Sequence, residues 1–152
     1  MVVRALTFVA AAVFALAFAP VAEAAEPGAA PTLAEVAKLR RDGQYDAAIA
    51  KAREGLAAAE KASGPESAEV GRWLDQLAST LDKAGRYEEA EATYKRQIAV
   101  FEKALGADAA EVGSALADLG GLYVDQGRLA EAEATLKRAV GIVEAARGPG
   151  HH

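Results

Sequence analysis

From Thr32 onward the apolar residues of this chain recur at intervals of three and four, and no stretch alternates in twos. That spacing places apolar side chains on one face of a helix and gives a strand nothing to bury. Ala48, Ile49, Ala52 and Leu56 mark a helix from Tyr45 to about Ser63, and Val70, Leu74, Leu77, Ala78 and Leu81 mark the next. Val112, Leu116, Leu119 and Tyr123 mark a third of the same kind. Start signals precede them. Thr32 with Glu35 and Asp108 with Glu111 have capping-box spacing, and Ser67 is a further capping residue. Gly43, Gly64-Pro65, Gly85, Gly106 and Gly127 supply the stops. The pattern predicts an all-α chain of six helices in three antiparallel pairs, with Tyr87 to about Leu105 and Leu129 to Arg147 as the fourth and sixth. Glu91 with Lys95 and Glu133 with Lys137 are i,i+4 pairs in the favourable order.

The stops are periodic. Gly43-Gln44-Tyr45, Gly85-Arg86-Tyr87 and Gly127-Arg128-Leu129 follow one another at 42 residues, as do Gly64, Gly106 and Gly148. A period of that length means stacked supersecondary units with no single closed core, which excludes most enzyme folds. Within the units, Leu116-x-x-Leu119-Gly120-x-x-Tyr123-x-x-x-Gly127-x-Leu129-x-x-Ala132-x-x-x-Leu136-x-x-Ala139 resembles the tetratricopeptide repeat pattern. Leu74-x-x-Leu77-Ala78-x-x-Leu81-x-x-x-Gly85-x-Tyr87-x-x-Ala90-x-x-x-Tyr94 resembles it too. The 42-residue unit is similar to the subtype of kinesin light chains and many bacterial proteins. The resemblance implies a right-handed α-α solenoid of three helix-turn-helix repeats, at about 32–63, 67–105 and 108–147 within 32–148. Residues 149–152 then begin a further inter-repeat loop or form a terminus. Gly148-Pro149-Gly150-His151 resembles the Gly-x-x-His-Pro that leads such repeats onward, with His152 where proline is usual. The first repeat carries Thr32 and Glu35 at positions that are apolar in the others, as suits a worn terminal unit.

Small residues at Ala48, Ala78, Ala90, Gly120 and Ala132 allow close helix approach, while Leu77, Leu119, Tyr94 and Leu136 fill the space between helices. Gln97 stands in the second repeat where alanine is expected. Trp73 is expected to anchor one repeat on another, and Tyr45, Tyr87, Tyr94 and Tyr123 to be core. What the resemblance implies for function is a concave groove, lined by the first helix of each repeat, that binds a protein or peptide. Carried over by position, its residues are Arg40 and Arg41, then Arg72, Asp75, Gln76, Ser79, Asp82 and Lys83, then Ser114, Asp118 and Asp125, with Ala117, Gly121 and Val124 beside them. The carboxylate clamp of some members needs asparagines on this face, and the chain contains none. Gln76 and Asp118 stand where the kinesin-type repeat has backbone-holding asparagines.

The amino terminus has a different character. Arg4, the apolar run Ala5 to Ala19 and the small-residue site Ala22-Glu23-Ala24 make residues 1–24 a secretory signal peptide, ahead of a proline- and glycine-rich leader at 25–31. The apolar run is shorter than a membrane-spanning helix needs. The expectation is therefore a bacterial protein exported to the periplasm or secreted, without stable membrane insertion after cleavage. There is no cysteine, hence no disulfide, thiolate metal site or thiol nucleophile. A net charge of −5 argues against nucleic acid as partner. The only histidines are His151 and His152, which leaves no internal imidazole for a triad, metal or proton shuttle. Glu88, Glu89 and Glu91 lie at a helix start, where carboxylates compensate the helix dipole. No catalytic, cofactor or metal residue is assigned. The expected function is an exported, non-enzymatic scaffold or adaptor. The alternative is the N-terminal regulatory segment of a longer enzyme such as a caspase-like peptidase, and end-to-end self-association is a further expectation.

Overall fold

The computed structural model describes residues 29–147. The expected signal peptide, most of the leader and residues 148–152 lie outside them. Six helices follow one another: α1 (Leu33–Arg41), α2 (Tyr45–Ser63), α3 (Ala68–Lys83), α4 (Tyr87–Leu105), α5 (Ala110–Asp125) and α6 (Leu129–Arg147). They pack as α1 on α2, α3 on α4 and α5 on α6, and the pairs stack through α2 on α3 and α4 on α5. This is an α-α solenoid.

The turns inside the pairs are copies of one another. Gly43, Gly85 and Gly127 have φ of 74°, 74° and 71°, a left-handed conformation that costs a glycine little. At each, the N–H of the residue after the glycine reaches back to a carbonyl of the preceding helix: Gln44 to Leu39 at 2.9 Å, Arg86 to Leu81 at 2.9 Å and Arg128 to Tyr123 at 2.8 Å. These are Schellman closures, and they satisfy helix carbonyls that would otherwise lack donors. Thr32 and Ser67 cap α1 and α3 as expected, accepting from the N–H of Glu35 at 3.1 Å and Val70 at 3.3 Å. Asp108 does not cap α5. The N-cap is Ala109, 42 residues after Ser67, and no side chain bonds to that helix start. Helix α1 has 9 residues where α3 and α5 have 16, because it starts only after Pro31, whose ring and missing N–H exclude it from a helix interior.

The core is one continuous strip along the stack, from Val36 through Leu74, Leu81 and Tyr94 to Leu119, Leu122 and Ile142. The expected small residues Ala48, Ala78, Ala90, Gly120 and Ala132 are all buried. A Cβ on Gly120 would lie 2.5 Å from Leu136 Cδ2, so α5 and α6 meet more closely there than alanine allows. Tyr94 and Tyr123 are core, and Tyr45 is half-buried. Tyr87 is 40% exposed: at the first position of α4 it lies at the rim of its pair rather than inside it.

The stack curves. Helix α1 approaches α3, and α3 approaches α5, with Cα atoms within 8 Å, whereas α2, α4 and α6 come that close to none of one another. The inner wall is therefore α1, α3 and α5. On the outer wall long side chains bridge the wider gaps: Arg53 meets Glu89 at 3.0 Å, and Arg96–Glu60 and Arg138–Glu102 repeat one ion pair at the 42-residue period. Exposed pairs of this kind contribute at most about 1 kcal/mol each.

Candidate functional site

The inner wall gathers most of the residues expected to line a groove. Arg40 of α1 donates to the Ser79 hydroxyl of α3, which itself donates to the Asp75 carbonyl at 2.8 Å. The Asp75 carboxylate accepts from two amides, Gln76 Nε2 at 3.2 Å and Gln97 Nε2 at 3.3 Å, the latter reaching in from α4. Gln97 is only 2% exposed. Having given N–H groups to Asp75, both glutamines leave a buried Oε1 without a donor.

Further along, Asp82 of α3 and Asp118 and Asp125 of α5 face the same space. Burial raises the Asp82 pKa, the Lys83 ammonium pulls it back and Asp125 pushes it up. Burial raises that of Asp118 as well, and Asp75 and Asp82 add to it. The Tyr94 phenol beneath them is pushed up by its own burial and by Asp118, Asp82 and Asp75, with Arg40 acting in the opposite sense. Four aspartates from two helices thus share one electrostatic neighbourhood. Among the described residues none of them has a Lys or Arg nitrogen within 4 Å. Arg41 is exposed and bonds to none of the others, while Arg72 and Ser114 face each other across a cleft between α3 and α5.

That cleft, of about 390 Å³, is also lined by Asp75, Gln97, Phe101 and Glu111. Its origin lies in a substitution along the repeat. At the first junction Gly55 of α2 receives the ring of Trp73, and a Cβ on Gly55 would lie 2.3 Å from that ring. One period later the positions hold Gln97 and Ala115, so a small side chain replaces the indole and a polar one replaces the glycine. In the sequence Gln97 is marked only as a departure from the repeat, an amide among small residues; its place in the groove depends on how α4 packs against α3. A second, apolar cleft of about 650 Å³ lies between α5 and α6, lined by Gly113, Ala117, Val140 and Val143 among others. Val143 stands 42 residues after Phe101, and its shorter side chain leaves that space open.

The carboxylate of Glu91 behaves oppositely to those in the groove. It accepts from Arg128 Nη1 at 2.5 Å, Lys95 Nζ at 2.6 Å and Tyr123 Oη at 3.0 Å, and Arg128 in turn lies 4.3 Å from the centre of the Tyr123 ring. Chiefly through Arg128, then Lys95, its pKa falls to about 2. The clasp ties α4 to the turn after α5. One period earlier Ile49 and Leu81 stand for Glu91 and Tyr123, so the first junction is closed by apolar contact instead.

The two kinds of carboxylate give opposite pH effects. Glu91, with a depressed pKa, stabilises the fold above the unfolded value near 4.5 and loses that contribution as pH falls toward 2. Asp82 and Asp118, with raised pKa values, cost stability once pH exceeds their folded values, and the cost is absent below the unfolded value of 3.8. Asp118→Asn is therefore expected to stabilise the chain slightly at pH 7, the effect being screened by solvent at this exposed position, and not at all near pH 3. Glu91→Gln is expected to destabilise it at pH 7 by about 1 kcal/mol, with the deficit vanishing near pH 2. Urea unfolding of both variants at the two extremes of pH checks the signs.

A family model described as Tetratricopeptide repeat matches residues 31–103 and 76–145. The chain belongs to the tetratricopeptide repeat family. Among curated proteins, none matches it. Among solved structures, it is similar to BtubC (BKLC) from P. vanneervenii, with a TM-score of 0.71 and 20% identity over 78% of this chain and 48% of that one. It is also similar to a P. anserina protein of nearly identical TPR-like repeats, and to a singly substituted form of that protein. Both give a TM-score of 0.67 and 20% identity over 79% of this chain and 56% of theirs. The chain thus spans about half the length of the structures it matches, and the likeness is one of fold. Among the described residues of this tetratricopeptide chain no group of three or more His, Asp or Glu could hold a metal ion, and no helix is long and apolar enough to cross a membrane.

Proposed function

We propose that this chain is an exported, non-enzymatic scaffold or adaptor that holds a peptide or an extended protein segment in the groove formed by α1, α3 and α5. Tetratricopeptide repeats are in general protein–protein interaction modules, and solenoids present such concave surfaces as their working face. The observation that carries the reading is the condition of the groove's polar groups. On the outer wall Glu60, Glu89 and Glu102 are matched with cations across helices, whereas on the inner wall, among the described residues, Asp75, Asp82, Asp118 and Asp125 have no cation within 4 Å and the Gln76 and Gln97 carbonyls have no donor. The buried glutamine carbonyls cost stability in that state, while the aspartates, half-buried at Asp75 and Asp82 and exposed at Asp118 and Asp125, remain open to donors from an extended partner. Placement in the periplasm or outside the cell follows from reading residues 1–24 as a signal peptide.

Gly121 provides the test. It lies on α5 between Asp118 and Asp125 at helical spacing, and a Cβ there would meet nothing within 4 Å. Gly121→Trp should therefore leave the fold intact and fill the groove with an indole. Peptides selected on the whole chain from a displayed random library are expected to bind Gly121→Trp at least ten-fold more weakly, and to bind Ala99→Trp, altered on the exposed side of α4, as they bind the parent. Equal losses in both variants would place the binding surface elsewhere.

A further inference from the structure

The charge on the α5 wall narrows the class of partner. Helix α5 carries Glu111, Asp118 and Asp125 and no lysine or arginine, and it faces Asp75 and Asp82 of α3 across the groove. An acidic cluster alone is ordinary protein surface, but here a second observation points the same way. The amide head of Gln97, 2% exposed, lies against Asp75 in the cleft between α3 and α5, with its N–H on that carboxylate and its carbonyl oxygen unpaired. Gln76 flanks Asp75 in the same manner from its own helix. Each glutamine has spent a donor on the aspartate and keeps an unpaired carbonyl, so two acceptors short of hydrogen flank Asp75, in a cleft whose own cation, Arg72, pairs with no carboxylate among the described residues. An anionic or acceptor-rich ligand would add to the imbalance, whereas an ammonium or guanidinium group brings donors and positive charge together. Cations do occur nearby, but Arg40 is committed to the Ser79 hydroxyl, and neither Arg72 nor Lys83 comes within 4 Å of a groove carboxylate.

Resting on the groove reading above, we propose that the groove selects a basic peptide segment, with a lysine or arginine head seated against Asp75 and the Gln97 amide in the cleft between α3 and α5, and Asp118 close enough to Asp75 to add its charge from outside the cleft. The remaining aspartates, Asp82 and Asp125, extend the acceptor surface by two helical turns along each wall, so a second cationic residue of the same segment fits there. The apolar stem of such a side chain would lie against Phe101 at the cleft edge, leaving only the charged head among the carboxylates.

The experiment is selection of a displayed random dodecapeptide library on the whole chain, followed by anisotropy titration of the enriched peptides in synthetic, labelled form. The expected result is enrichment of lysine and arginine over the input library. Affinity should fall at least ten-fold in the double variant Asp75→Asn, Asp118→Asn and several-fold between 50 and 300 mM salt. The double variant removes charge without changing volume, and an amide at position 75 can donate to an unpaired glutamine carbonyl, so its thermal melt should match or exceed the parent's. If it melts lower, Asp82→Asn with Asp125→Asn asks the same question at the next turns. Enriched peptides that are acidic or uncharged, yet lose affinity in Gly121→Trp, would overturn the basic-segment proposal and leave the groove reading standing. Peptides indifferent to Gly121→Trp, or none at all, would overturn both.

Discussion

Replacing Trp73 by alanine is expected to cost about 3–5 kcal/mol, a large part of the stability of a domain this size, and to loosen the first repeat before the others. The indole is 7% exposed and lies on the bare backbone of Gly55, where even a methyl group would stand 2.3 Å from Cη2 and Cζ3. It is the largest side chain at the seam between α2 and α3. That seam is the main attachment of the first repeat to the stack, helped by the smaller contact of α1 on α3 and by the exposed ion pairs Arg53–Glu89 and Arg96–Glu60. Stability in such an array is a sum of unit and nearest-neighbour terms, so damage at one seam stays near it. Hydrogen exchange should show α1 and α2 amides losing protection in Trp73→Ala while α5 and α6 keep theirs. Uniform loss over all six helices would mean that the three repeats unfold as one cooperative unit.

The architecture was legible because it rests on short-range rules. Stop glycines at a fixed period report a turn that must be left-handed, and spacings of three and four report which face of each helix is apolar. Both are properties of one helix and its ends. The exception, Asp108, shows the limit of local chemistry: the residue looked like a cap, but the equivalent of Ser67 one period later is Ala109, and the backbone followed the period. Contacts between helices were harder to see. Nothing local to Gly55 or Trp73 says that one receives the other, and Glu91, legible as the partner of Lys95, also takes Arg128 and Tyr123 from 37 and 32 residues away. The groove residues followed from the repeat register, which assigns a helix face. Their state did not, because unpaired carboxylates and orphaned carbonyls depend on what every neighbouring helix offers.

Glycines inside helices make the same point energetically and set the second large effect. By helix propensity Gly71→Ala should stabilise α3 by about 1 kcal/mol. It is expected to destabilise the chain by about 2 kcal/mol instead, because a Cβ at that position would lie 2.3 Å from Phe101 Cε1 and 2.6 Å from Cδ1. The Phe101 ring is 4% exposed and belongs to the buried core, so moving it off the glycine means repacking its neighbours. One period later the same two positions hold Gly113 and Val143, and there the nearest atom to a Cβ is Ile142 Cγ2 at 3.3 Å, a contact that a few tenths of an ångström relieves. Gly113→Ala is accordingly expected to be neutral or slightly stabilising. The pair can also be tested directly. Phe101→Val shortens the ring to the side chain found at 143, and in that background Gly71→Ala should cost almost nothing, giving a coupling of about 2 kcal/mol in a double-mutant cycle measured by urea unfolding. If Gly71→Ala costs as much without the ring as with it, the glycine is required by the backbone of α3 rather than by the aromatic side chain that packs on it.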